Sequence, residues 1–145
     1  MDTVEFVRLV VLDESSNLLL FRLWEKGVPP YWAAPGGEIR PDEAGVDAAA
    51  RMLQEETGLS LKIGSVVMET DDLCYLLNGQ CGRCVDKYFV VNAHSNSVIN
   101  PPKNKEFKWW GLNEMKTENI DVRPNWMSDL FESVIHSVDE SKTGS

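Results

Sequence analysis

The sequence predicts an α+β fold or an α/β/α sandwich, with several strands around one helix and a second helix near its end. Two kinds of observation predict it. β-branched and aliphatic runs recur at residues 4–12, 18–24, 60–69 and 87–91. Two stripes have helical spacing instead: Val46, Ala49, Ala50, Leu53 and Thr57, then Trp126, Leu130, Val134 and Ile135.

The elements follow in order. Residues 4–12 read as a strand, 13–17 are turn chemistry, and 18–24 return, which makes an opening β-hairpin. Residues 26–30 read as a loop, because Pro29 and Pro30 cannot donate to a ladder. A helix is expected over about 43–57, with Asp42 as N-cap, Gly58 as the terminating glycine and Gly45 a local weakness. Strands resume at 60–69 and 73–77, Asn78-Gly79 signals a tight turn, and 87–91 form the next strand. Residues 100–105 read as a loop and 106–110 as a short strand. The final helix is followed by a polar tail, 139–145, expected to fray. No repeat, long linker or low-complexity segment breaks the chain, so 1–138 are expected to form one domain.

Composition narrows the function. The 145 residues carry 23 acids against 14 bases, a net charge of −9. Such a chain is repelled by nucleic acids and anionic membrane surfaces unless a local patch or a metal reverses the field. No apolar run reaches the roughly 18–20 residues of a membrane helix. Met1-Asp2-Thr3-Val4-Glu5 lacks the layout of a signal peptide. The expectation is a soluble cytoplasmic protein without nucleic-acid or membrane partners, as monomer or homodimer.

The chemistry concentrates between Gly36 and Leu59. Glu43, Asp47, Arg51 and Glu55 are successive i, i+4 neighbours and form one ridge on the expected helix. Glu55 and Glu56 are adjacent near its C-terminal end, where they repel each other and oppose the macrodipole. Arg51 is one candidate to compensate them; a hard divalent cation bound through oxygen is the other. Gly36-Gly37, after Pro35, lets the backbone approach closely, and a glycine loop beside helix carboxylates suits a Mg²⁺–phosphate site.

These residues resemble the Nudix hydrolases. That family's box is glycine, five residues, Glu, seven residues, Arg-Glu, an aliphatic residue, any residue, Glu-Glu, any residue, glycine and an aliphatic residue. Here Gly37, Glu43 and Arg51-Met52-Leu53-Gln54-Glu55-Glu56-Thr57-Gly58-Leu59 fill the pattern, with one departure. The likeness extends more weakly to the opening hairpin, to Trp32 before Pro35-Gly36-Gly37, and to Glu106 through Trp110. The resemblance implies a Nudix-type α/β/α sandwich, with a mixed sheet and the box helix packed on it. It also implies Mg²⁺- or Mn²⁺-dependent hydrolysis of a nucleoside diphosphate linked to another group. Carried over by position, Glu56 is a principal metal ligand and Glu55 a ligand or water-positioning group. The Gly36 carbonyl completes the metal shell, Arg51 orients the carboxylates and Glu43 braces the loop.

The departure is Met52, where the family has Glu. A neutral, soft thioether suits neither Mg²⁺ nor proton transfer. Two outcomes follow: hydrolysis with fewer metals and a base supplied elsewhere, for which Glu106 is the candidate, or nucleotide binding without turnover. Hydrolysis is favoured because Glu55, Glu56, Arg51 and both glycines remain.

Other groups carry less. Cys81-Gly82-Arg83-Cys84, with Cys74 and His94, has donors for a tetrahedral zinc or a redox pair but lacks a second paired motif. Reduced structural thiols are expected. His94 reads as an exposed loop residue and His136 as structural within the last helix. Trp24 and Trp32 flank the loop before the box and are placed to stack on a nucleobase; packing is the favoured role for both, and Trp32 is the candidate substrate contact. Tyr75 is similar in placement to a tyrosine that follows the box in dinucleoside-polyphosphate members, which makes it a candidate substrate contact with Gly36 and Gly37.

Overall fold

The computed structural model describes residues 2–76, 78–94, 97–102 and 105–143, the last six of these through their backbone. Part of the expected 73–77 strand, of the 100–105 loop and of the polar tail therefore lies outside the described residues.

Seven strands form one mixed sheet: β1 (Thr3–Leu12), β2 (Leu18–Glu25), β3 (Val28–Ala33), β4 (Gly36–Glu38), β5 (Val66–Tyr75), β6 (Cys81–Asn92) and β7 (Glu106–Trp110). Its path runs β3-β2-β1-β6-β5, with β4 beside β1 and β7 beside β2. β1 and β6 are parallel, and the other pairs are antiparallel. The described residues also form three helices: α1 (Gly45–Thr57), α2 (Leu112–Glu118) and α3 (Met127–Thr143).

Strand alternation divides β1 between two cores. Val7, Leu9 and Val11 face Ala48, Ala49 and Leu53 of α1. Val10 and Leu12 face Met115 of α2 and Met127, Leu130, Phe131 and Val134 of α3. The sheet is thus covered on both sides, the expected α/β/α arrangement with the box helix packed on one face.

Several expectations are corrected. Pro29 and Pro30 lie inside β3, not in a loop; β3 ends the sheet path, and its ladder with β2 shifts register between Leu23 and Glu25, opposite the prolines. The two expected strands at 60–69 and 73–77 are one, β5, beginning only at Val66. Helix α1 begins at Gly45 with Ala44 as its N-cap; Asp42 adopts a positive φ of 66° in the turn before it. Gly58 does end the helix, in the left-handed region at φ 78°. The short helix α2, whose Leu112 and Met115 pack in the α3-side core, has no counterpart in the expected elements. Backbone helix continues to Thr143 through most of the segment read as a tail.

The cysteines are corrected too. Cys74 and Cys84 are joined by a disulfide between β5 and β6, with Cα atoms 5.9 Å apart. Ladder pairing sets Cys74 opposite Gly82 and Cys84 opposite Asp72, so the bridge runs diagonally across two strands. This removes both the three-cysteine zinc site and the Cys81–Cys84 pair; Cys81 is free and exposed. His94 is exposed, as expected, and His136 is an exposed residue of α3. No helix among the described residues is long and apolar enough to cross a membrane.

Candidate active site

Arg51 is the hub of the site. Its Nε and Nη2 each donate to one Glu43 carboxylate oxygen at 2.9 Å, a bidentate fork. Nη2 also donates to the Glu38 carbonyl, and Nη1 to Glu55 Oε2, both at 3.2 Å. One guanidinium therefore ties α1 to β4 and to the loop between them. Glu43 belongs to that loop and not to the helical ridge expected of it. It accepts a further bond from the Arg40 backbone N–H at 3.1 Å. The Arg51 hydrogen bonds, against a smaller opposing effect of burial, hold the Glu43 carboxyl down at about 2.

The two adjacent glutamates are answered by different bases. Glu55, half exposed, also meets Arg40 at 3.6 Å. Glu56 accepts a hydrogen bond from Lys105 Nζ at 2.6 Å, in a pair whose side chains are 19% and 29% exposed. The same ammonium lies 5.1 Å from the centroid of the Phe21 ring, within the core on the α1 side.

Lys105 takes the neighbourhood that sequence reasoning gives to Glu106. Along β7, Phe107 and Trp109 pack against the α1-side core and Trp110 packs in the opposite one. Alternation then places Glu106 on the far face, where it meets Arg22 at 3.8 Å. Glu106 is not brought to Glu55 and Glu56. Alternation in the sequence puts residue 105 on the same side as Phe107 but does not tell which side faces α1.

Met52 is 5% exposed and belongs to the α1-side core. Its thioether lies directly under β4, so that a Cβ added to Gly37 would sit 2.8 Å from both Sδ and Cε. A Cβ at Gly36 would run into the Val7 carbonyl oxygen and lie 3.0 Å from the Arg8 Cα. Close packing of β4 between β1 and α1 is what these glycines permit here.

The other substrate candidates are dispersed. Trp32 packs edge-on against Trp110, ring centroids 5.2 Å apart, and is half-buried on the α3 side. Tyr75 is 87% exposed at the end of β5 and lines an apolar hollow of about 420 Å³ with Phe6, Glu38 and Leu76.

A second cavity escaped sequence reasoning. About 310 Å³ in volume, it is lined by Arg8, Tyr31, Asp72, Asp86, Arg123 and Trp126 among others. Arg8 Nε donates to Asp86 Oδ1 at 3.1 Å, and Arg123 stacks over the Tyr31 ring at 4.6 Å. Trp126 meets Tyr88 edge-on at 5.4 Å; burial, with a smaller contribution from the Asp86 charge, pushes that phenol up to about 12. Arg8 pairs in register with Gly36, so this cavity and the glycine strand share β1. These residues come from β1, β3, β5, β6 and the turn before α3, far apart in the chain, and no local spacing could have gathered them.

The donor chemistry fits one hard divalent cation, through the carboxylates of Glu55 and Glu56 and a glycine carbonyl. A cage of acids is missing: among the described residues no three His, Cys, Asp or Glu side chains converge on one point. Glu56, moreover, already holds a cation, the Lys105 ammonium.

Known proteins resemble this chain in sequence and in fold. A family model described as NUDIX domain matches residues 4–131. A protein of Bacillus subtilis (strain 168), provisionally named an 8-oxo-dGTP diphosphatase, is 45% identical over 60 residues, 39% of this chain and 38% of that protein. An RNA pyrophosphohydrolase of Bartonella bacilliformis is 30% identical over 129 residues, 75% of this chain and 72% of its own. The crystal structure of a MutT protein from Methanosarcina mazei Go1 superposes with a TM-score of 0.71 at 22% identity, over 93% of this chain and 94% of that one. The chain thus spans little more than a third of the first relative and nearly three quarters of the second.

Proposed function

Because the chain belongs to the Nudix family, we propose that it is a hydrolase that cleaves the diphosphate linkage of a nucleoside diphosphate derivative, using Mg²⁺ or Mn²⁺ held by Glu55, Glu56 and the Gly36 carbonyl. The observation that carries this reading is the Arg51 fork, which fixes Glu43, Glu55 and β4 as one unit. The printed names of two relatives, a diphosphatase and a pyrophosphohydrolase, support the same reaction class.

When bound, the ion neutralises diphosphate charge and lowers the pKa of a coordinated water. The protein does the positioning. Arg51 limits the rotamers of Glu55, which saves ordering cost on binding. The 310 Å³ cavity is of ligand size and offers aromatic faces with a few charged groups, which suits a nucleoside. The cavity lies on the α3 side of β1 and meets the glycine strand through Arg8, which pairs in register with Gly36, so a nucleoside seated there would place its diphosphate beside Gly36.

One observation favours a second reading, nucleotide binding without turnover: the buried Met52 thioether occupies the place of a box carboxylate. A panel of nucleoside di- and triphosphates and their derivatives, assayed with Mg²⁺ and Mn²⁺ beside thermal-shift binding, separates the two. Metal-dependent product from one derivative is expected. Thermal stabilisation by a nucleotide with no product from any of them selects the second reading.

A further inference from the structure

We propose that Lys105 is a phosphate-binding residue that Glu56 holds in reserve: one ammonium shared between the carboxylate and the diphosphate of the ligand, with a divalent ion replacing it on Glu56. The proposal deepens the hydrolase reading and rests on it for the identity of the ligand.

Three observations converge. The first is the contact itself: Lys105 Nζ to Glu56 Oε2 at 2.6 Å is a short, charge-assisted bond between side chains that are largely but not wholly buried. An ammonium has three donors, and this bond uses one. The second is confinement. The Phe21 ring lies 5.1 Å from Nζ, so the flexible four-carbon stem is directed and the charge favoured at that spot. The third is charge. Compared with a box that carries Glu at position 52, Met52 leaves one negative charge fewer, and Lys105 places a positive charge beside Glu56. The site therefore holds positive charge for phosphate on a side chain.

The exchange has a definite direction. In the absence of ligand, Glu56 satisfies Lys105. A divalent cation on Glu56 displaces the ammonium, whose donors then turn to phosphate oxygens. Metal and lysine compete for one carboxylate, while lysine and metal cooperate toward the anion.

Calorimetry on the full chain tests this, with Mn²⁺ alone and inorganic pyrophosphate alone as probes. Lys105→Met is expected to bind Mn²⁺ about tenfold more tightly and metal-free pyrophosphate about tenfold more weakly than the parent, the effect of one charge-assisted bond. Glu56→Gln, which frees the ammonium from the other side, is expected to lose Mn²⁺ affinity and to bind metal-free pyrophosphate more tightly. Unchanged Mn²⁺ or pyrophosphate affinity in Lys105→Met overturns the proposal, and so does unchanged pyrophosphate affinity in Glu56→Gln. These are binding measurements. If the parent hydrolyses nothing in the panel, the hydrolase reading falls, and the Lys105 affinities still decide this one.

Discussion

The two ends of helix α1 answer the same kind of charge in different ways. Near its start, Glu43 is neutralised by Arg51, eight residues away and within the same box. Near its end, Glu56 is neutralised by Lys105, 49 residues away and outside the box. The first pairing builds a scaffold: a bidentate fork, mostly buried, that also grips the Glu38 carbonyl and Glu55. The second is a single-point contact by a flexible side chain, the kind that a stronger cation can replace. The helix thus separates a fixed brace from an exchangeable charge.

Removing the exchangeable end altogether carries the largest expected effect. Glu56→Gln should lower kcat on the best derivative of the panel by about 100-fold or more, since an outer-sphere partner alone is worth roughly 10- to 100-fold and Glu56 is the proposed ligand itself. Turnover within a few-fold of the parent would place the metal elsewhere and dissolve the contrast between the two ends.

Breaking the brace comes next. Arg51→Met should cost about 10- to 100-fold in kcat/KM, as expected for a group that orients ligands and does not bind the ion. The same variant should also lower Tm, because the largely buried Glu43 loses both Arg51 hydrogen bonds and keeps only that from the Arg40 backbone N–H. A drop in Tm with unchanged kcat/KM would make the brace structural only.

That contrast also marks what the sequence could disclose. The box, the helix carrying it and the Arg51–Glu55 pair depend on spacing within one helix, and Gly58 ends that helix at a positive φ. Alternation is visible in β7, yet without the partner strand it cannot tell which side faces α1, so sequence reasoning points to Glu106 where Lys105 stands. Pro29 and Pro30 resemble loop residues until β3 proves to end the sheet path. The Cys74–Cys84 bridge depends on the β5–β6 register, and the 310 Å³ cavity on five strands and a turn. Long-range register decided these features, and no local pattern encodes it.

Met52→Glu probes the boundary between brace and exchangeable charge. The new carboxylate would be buried under Gly37, so in EDTA the variant should lose about 1–3 kcal/mol of stability to an unpaired polar group. With Mn²⁺ present the loss should shrink, as the introduced carboxylate joins Glu55 and Glu56 around the ion, and metal-dependent hydrolysis should rise. Equal destabilisation with and without Mn²⁺ would mark position 52 as core alone.

The smallest effect should appear as a pH dependence of the brace. The Arg51 hydrogen bonds depress the Glu43 pKa from its ordinary 4.5 to about 2. A depressed carboxyl contributes stability that is fully present above its unfolded value and is lost as pH falls through the folded one. The contribution of Glu43 should therefore be complete at about pH 6, decline between about 4.5 and 2, and vanish below. Asp71 beside Arg83 and Glu114 beside Lys108 are lowered in the same direction, so the parent's acid curve alone does not single out Glu43. The Tm gap between the parent and Glu43→Gln does. It should be widest near neutral pH and close as acid protonates Glu43, whereas a gap that stays constant down to about pH 2 would mean that the fork holds the loop by shape and not by charge.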